Sequence, residues 1–243
     1  MSTQENDTEA VTQLVLRERQ SRDRGWYDDM ASCFAPDAII EMSWFTGPAS
    51  EFIARTRQRS TAGVWGRHRL SPPTVRVHGD RAWAELPLGI EFRIDVDGVE
   101  ADLISYCRSQ YRARRYGDVW KLVKITSIYE RDTLTAAVPG HQLGINPNAL
   151  LGYRTSYRCL AWYFEQIGTP LSHERLGDDR PEDTALHYRS EQAWLARVGD
   201  SCPRKTRSPC TAAASIAVDR MSDDEVEVAL YGDQAAAGGL TAA

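Results

Sequence analysis

His68 stands between Arg67 and Arg69 in "VWGRHRLSPP", residues 64–73, just ahead of Pro72 and Pro73. An imidazole has an ordinary pKa close to neutrality, so inside a cavity it can take a proton from a substrate and return it. On the outer face of a strand it only hydrogen-bonds, and both readings begin from the same residue. Further candidates come from strand periodicity. Over residues 100–113 a period of two puts Leu103, Ser105, Cys107, Ser109 and Tyr111 on one face. Asp102, Ile104, Tyr106, Arg108, Gln110 and Arg112 fall on the other, and the arginines mark that face as the outer one. On the next strand Val123, Ile125, Ser127 and Tyr129 share a face opposite Leu122, Lys124, Thr126, Ile128 and Glu130. Small residues mixed with tyrosine hydroxyls suit a ligand cavity better than a close-packed core, where each hydroxyl needs a dedicated partner. No GxGxxG, P-loop, HExxH or GxSxG segment is present, which turns the reading away from nucleotide, dinucleotide, zinc-protease and serine-hydrolase chemistry. The chemistry left is proton transfer without a cofactor.

The elements that would hold these residues follow from caps and periods. Asp7 or Thr8 can cap a helix over residues 8–24 in which Val11, Leu14 and Val15 recur at helical spacing, and Gly25 closes it. A short helix from Trp26 to Cys33, a strand from Ala38 to Trp44 and a helix from Pro48 to Arg59 come next. From Arg67 to Arg131 the pattern is β, punctuated by the turns His78-Gly79-Asp80, Asp97-Gly98 and Gly117-Asp118. Helices followed by an antiparallel meander make an α+β pattern, and a strongly bent sheet of that kind closes on the first helix around a pocket. Beyond Pro139-Gly140 one helix is expected through Leu150, Tyr157, Leu160, Phe164 and Ile167, and a second over residues 181–198. This divides the chain into residues 1–137 as the α+β domain, 138–200 as a helical extension and 201–243 as a tail expected to be disordered.

Composition narrows the partners. The 243 residues carry a net charge of −5, without the basic field that nucleic-acid binding needs. The polar N-terminus and the lack of any apolar run approaching about eighteen residues predict a soluble, cytoplasmic protein away from membranes. Five cysteines, widely spaced and without a CxxC pair, fit reduced thiols and predict no structural metal.

Three stretches together resemble the SnoaL-like, NTF2-like superfamily. "SRDRGWYDDMASCFAPDAIIEMSW" is similar to its first-helix region, "RHRLSPPTVRVHGDRAWAE" to its histidine strand and "YRARRYGDVWKLVKITSIYERD" to its closing strands, with scytalone dehydratase the nearest enzyme type by pattern. The resemblance covers about residues 8–135. It implies a cone-shaped curved antiparallel sheet wrapped on the N-terminal helices, often as a homodimer, and a cofactor-independent lyase or isomerase for small hydrophobic or phenolic molecules. It places the catalytic histidine at His68 and puts Arg22 where related dehydratases carry an aspartate. An arginine there would bind an enolate, phenolate or carboxylate oxygen rather than orient the imidazole. Tyr111 completes the expected catalytic set, and Trp44, Phe45, Tyr106, Ser109 and Tyr129 the substrate-binding set. The plainer alternatives stay beside these: Arg22 as a surface helix charge, Trp44 and Phe45 as core, Tyr111 and Tyr129 as core tyrosines. The basic run Arg108 to Arg115 is expected as an exposed sheet face or dimer contact, and Glu130 with Asp132 as a salt-bridged strand end. Dehydration, retro-aldol-like loss of formaldehyde from a lignin-derived dimer, isomerisation or cyclisation of a polyketide or terpenoid, and ligand binding without catalysis all remain compatible.

Overall fold

A computed structural model describes residues 3–61, 63 and 66–197. The expected tail, with Cys202 and Cys210, lies outside the described residues. Helix α1 (Thr3–Arg24) begins five residues earlier than its cap signals suggested. It ends at Gly25, whose positive φ of 73° lets the Trp26 amide reach back to the Ser21 carbonyl at 2.9 Å. Val11, Leu14, Val15, Glu18 and Ser21 form its buried stripe. After the short α2 (Tyr27–Ser32), the single strand expected over residues 38–44 is a hairpin instead, β1 (Phe34–Met42) turning at Ser43-Trp44 into β2 (Phe45–Pro48). Trp44 therefore sits in a turn. Helix α3 (Ala49–Thr61) follows.

The meander comprises β3 (Arg67–Leu70), β4 (Thr74–His78), β5 (Arg81–Val96), β6 (Val99–Tyr116) and β7 (Val119–Ala136). Asp97-Gly98 makes the two-residue turn between β5 and β6, with φ of 51° and 82°, the pair of left-handed residues a type I′ hairpin requires. The sheet order is β2-β1-β7-β6-β5-β3, with β4 also on β5. The sheet is curved and does not close. It corrects the all-antiparallel expectation in one place: β1 pairs parallel to β7. Those two strands are joined through α3 and the whole meander, so no hairpin imposes their direction. Two shifts in the β6–β7 register also change which side chains face inward. One leaves Val123 without an opposite residue, so that Leu122 and Ile125 are the buried ones; the other does the same at Glu130 and turns Asp132 toward the inner side.

The expected helix through Leu150–Ile167 is shorter. A 3-10 turn (Pro147–Leu150) and a loop precede α4 (Arg158–Gln166). The loop forms because Ser156 exchanges bonds with Asp179, its hydroxyl donating to Oδ1 at 2.7 Å and accepting from the Asp179 amide at 3.1 Å. Helix α5 (Pro181–Ala196) lies on the outer face of the sheet. There Arg112 forms a fork on Glu191 (2.6 and 2.9 Å), and Arg108 reaches Glu130 (2.7 Å), Asp178 (2.8 Å) and the Tyr188 hydroxyl (3.1 Å). The basic run is thus not an exposed face at these positions, because the chain's own extension covers and pairs it. His187 of α5 is half-buried against the sheet and bonds Gln110 at 2.9 Å. No helix among the described residues is long and apolar enough to cross a membrane.

Candidate active site

The last turn of α1 and the first residues of β3 meet at one carboxylate. Asp23 Oδ2 accepts the His68 backbone N–H at 2.8 Å, and Oδ1 lies 2.5 Å from His68 Nδ1. The Arg67 side chain also donates to the Asp23 carbonyl, so β3 is tied to α1 at three points. Burial alone would raise the Asp23 pKa, but the bonds from His68 and the nearby Arg19 charge outweigh it and hold the carboxyl below its ordinary value. The imidazole is pushed the other way, down to about 4: burial disfavours its cation and, together with repulsion from Arg22 and Arg19, outweighs the hydrogen bond to Asp23 that favours it. His68 is therefore neutral near pH 7. An ionised carboxylate can only accept, so the single imidazole proton belongs on Nδ1. Nε2 is left with its lone pair free, buried and without a hydrogen-bond partner among the described residues.

His68 borders a cavity of some 800 Å³, its open mouth included. Helix α1 supplies Arg19, Arg22 and Asp23; β6 and β7 supply Ser109, Ser127 and Tyr129. Arg19 is almost fully buried and forks onto buried Glu18 at 2.5 and 2.8 Å. Burial works against its charge, yet Glu18 more than compensates and keeps it firmly protonated. Arg22 is held differently. Its guanidinium lies 4.9 Å over the Phe52 ring and 5.9 Å from that of Trp44, with no carboxylate in ion-pair distance among the described residues. Burial, then repulsion from Arg19, lowers its pKa to about 10, still charged at neutral pH. The pocket therefore offers a proton acceptor beside two fixed cations, the donor set that stabilises a developing oxyanion.

The sequence-derived candidates divide. His68, Arg22, Trp44, Ser109 and Tyr129 line the cavity. Tyr129 offers it a ring, since its hydroxyl is engaged, donating to Ser43 Oγ at 2.7 Å and accepting from the Ser43 amide at 3.0 Å. Three expectations are corrected. Tyr111 is buried behind Arg19, whose guanidinium lies 5.9 Å from its ring, and does not border the cavity. Phe45 packs 5.7 Å from Trp44 and 5.5 Å from Phe52, backing the wall rather than forming it. Tyr106 points to the outer side, 4.2 Å beneath Arg131, as the period-two count requires. The largest correction concerns the carboxylate that the resemblance expects beside His68: Arg22 does not stand in its place, because Asp23, one residue on, makes that contact. The signal was available, for Val11, Val15, Arg19 and Asp23 recur every four residues along one stripe of α1. Arg59 of α3 and Leu160 and Phe164 of α4 also border the cavity, and nothing in their local spacing points to it.

Helices seated in a curved sheet, with an imidazole–carboxylate pair buried in the hollow between them, define an NTF2-like α+β protein with a pocket fit for acid–base chemistry. Residues 4–126 match the family model described as the SnoaL-like domain, and the chain belongs to that family. Two fungal proteins are similar over most of their length. A PEP2-like protein of Fusarium vanettenii is 27% identical over 78% of this chain and 88% of its own. An uncharacterized protein of Emericella nidulans is 28% identical over 75% and 87%. Among solved structures, a hexachlorocyclohexane dehydrochlorinase superposes with a TM-score of 0.47 at 16% identity, covering 58% of this chain and 96% of that one.

Proposed function

We propose that the protein is a cofactor-independent lyase that acts by proton transfer on a small aromatic or phenolic molecule. The observation that carries this reading is the buried, unpartnered Nε2 of a neutral His68, its tautomer set by Asp23, beside the charges of Arg22 and Arg19. His68 takes a proton from a carbon or hydroxyl of the substrate, and the electron pair released moves onto an oxygen held by a guanidinium. The imidazolium formed is stabilised by Asp23 and returns its proton to the leaving group or to carbon. Dehydration and retro-aldol-like loss of formaldehyde both follow this course. Isomerisation is favoured as a second reading by one feature: the Tyr129 hydroxyl is committed to Ser43 and Tyr111 is set back from the cavity, leaving His68 as the group that both removes and returns the proton.

A His68→Gln variant assayed against a panel of phenolic β-hydroxy compounds tests the reading. Turnover should fall by about 10²- to 10⁴-fold, the contribution of a positioned acid–base group, while binding of the same compounds persists. An unchanged rate sinks the catalytic role and leaves a ligand-binding protein.

A further inference from the structure

Arg59 lies between two aromatic rings at the side of the cavity formed by α3 and α4, its guanidinium carbon 4.7 Å from the Trp44 ring and 4.9 Å from that of Phe164. It borders the cavity, and no carboxylate or hydrogen-bond acceptor holds it among the described residues. Stacking occupies the faces of a guanidinium and leaves its edge, where all five N–H donors lie, free to pair with a planar anion. Burial without a counter-charge is unfavourable, as the downward push on its pKa reflects. The charges around the cavity point the same way. Glu18 answers Arg19, and Asp23 is occupied by the imidazole, so among the described residues Arg22 and Arg59 have no carboxylate of their own. These two differ in place: the charges that bear most on His68 are those of Asp23, Arg22 and Arg19, not Arg59. Arg22 thus lies beside His68, and Arg59, on α3, shares the Trp44 indole with it.

We propose that the cavity selects an aromatic carboxylate, and that Arg59, held by stacking between Trp44 and Phe164, is the specificity-determining residue that reads the carboxylate while the ring of the bound molecule lies in the cavity toward His68. The inference rests on the proposed function only in taking this cavity as the substrate site. A carboxylate in fork geometry on Arg59 would anchor the molecule at a point remote from the bond that reacts, and so orient it toward His68 Nε2.

Cinnamate and cinnamyl alcohol, which share a skeleton and differ in the anionic group, serve as probes, with binding to the whole chain read by titration calorimetry. The wild-type protein should bind the acid about tenfold or more tightly than the alcohol, and rising salt should narrow the gap. Arg59→Gln should lose the preference through weaker acid binding, with the alcohol unaffected, and Arg59→Lys should keep part of it. Equal binding of the two compounds to the wild type, no binding of either, or an equal loss for both in Arg59→Gln overturns the proposal. Neither probe has to react, so the outcome is separate from the His68→Gln turnover test: acid selection through Arg59 with no His68-dependent reaction would reject the lyase reading alone.

Discussion

Asp23 and His68 are 45 positions apart in the chain and meet at 2.5 Å. Their pairing makes the chemistry directional, because Nδ1 is spent on the carboxylate and Nε2 is the atom left to act. Asp23→Asn would present an amide that can place the proton on the wrong nitrogen, so a loss of about 10²-fold or more in kcat is expected, with ligand affinity retained, in steady-state kinetics paired with calorimetry. The pH dependence follows from the same environment. The proposed mechanism uses the base form of His68, so kcat/KM should hold as pH falls past 6.5 and decline only near 4. A bound anion beside Arg22 would ease the repulsion on the imidazolium, so the decline in kcat should fall at a higher pH than that in kcat/KM. The stability effect has a definite sign. A histidine depressed in the folded state binds protons more readily when unfolded, so the contribution is complete above 6.5 and lost as pH drops from there toward 4, on the order of 3 kcal/mol. Denaturant melts across that window measure it, and a flat profile would contradict the buried neutral imidazole.

At the scale of elements, the extra residue at Glu130 in β7 has a consequence for the pocket. It turns Asp132 inward, where Oδ2 accepts the Leu160 amide at 2.8 Å and so caps α4, whose own preceding residue, Tyr157, makes no side-chain cap. Capping by a distant strand residue fixes the helix that brings Leu160 and Phe164 to the cavity. Asp132→Ala should cost about 1 kcal/mol, a fall of about 2–4 °C in Tm for a chain of this size, and should weaken ligand binding through KM more than kcat. Differential scanning calorimetry and Michaelis kinetics separate the two effects. Among the described residues, the expected salt bridge on this strand is made by Glu130, with Arg108, and not by Asp132. Strand positions and hairpins were legible because Asp97-Gly98 and Gly117-Asp118 specify their turns locally. The bulges were not, since an extra residue in one strand shows only against its partner's register.

At the scale of the whole molecule, α5 and the sheet enclose an ion pair that neither could hold alone. The Glu191 side chain is 4% exposed and its charge is matched by the fork from Arg112. Arg112→Ala would leave that carboxylate buried without its cation, and a loss of about 3–5 kcal/mol is expected in chemical denaturation. Cinnamate affinity of the folded variant should be unchanged, because α5 lies on the opposite side of the sheet from the cavity; a parallel loss of binding would show the two faces to be coupled.

The sequence alone determined most of the elements and the family pattern, for helix caps, two-residue turns and alternation are short-range properties of neighbouring residues; the β1–β2 hairpin and the break before α4 were not among them. Period two along the strands also marked Ser109 and Tyr129 as facing inward, while the place of His68 rested on the family resemblance. What the tertiary structure decided was the company each residue keeps: that Asp23 rather than Arg22 holds the imidazole, that Tyr111 stands behind Arg19, and that α3 and α4 bring Arg59 and Phe164 to the same pocket. The pKa of a buried group depends on every charge within a few ångströms, whichever part of the chain supplies it. Such neighbours are set by the packing of α1 into the curved sheet, and no local spacing encodes them.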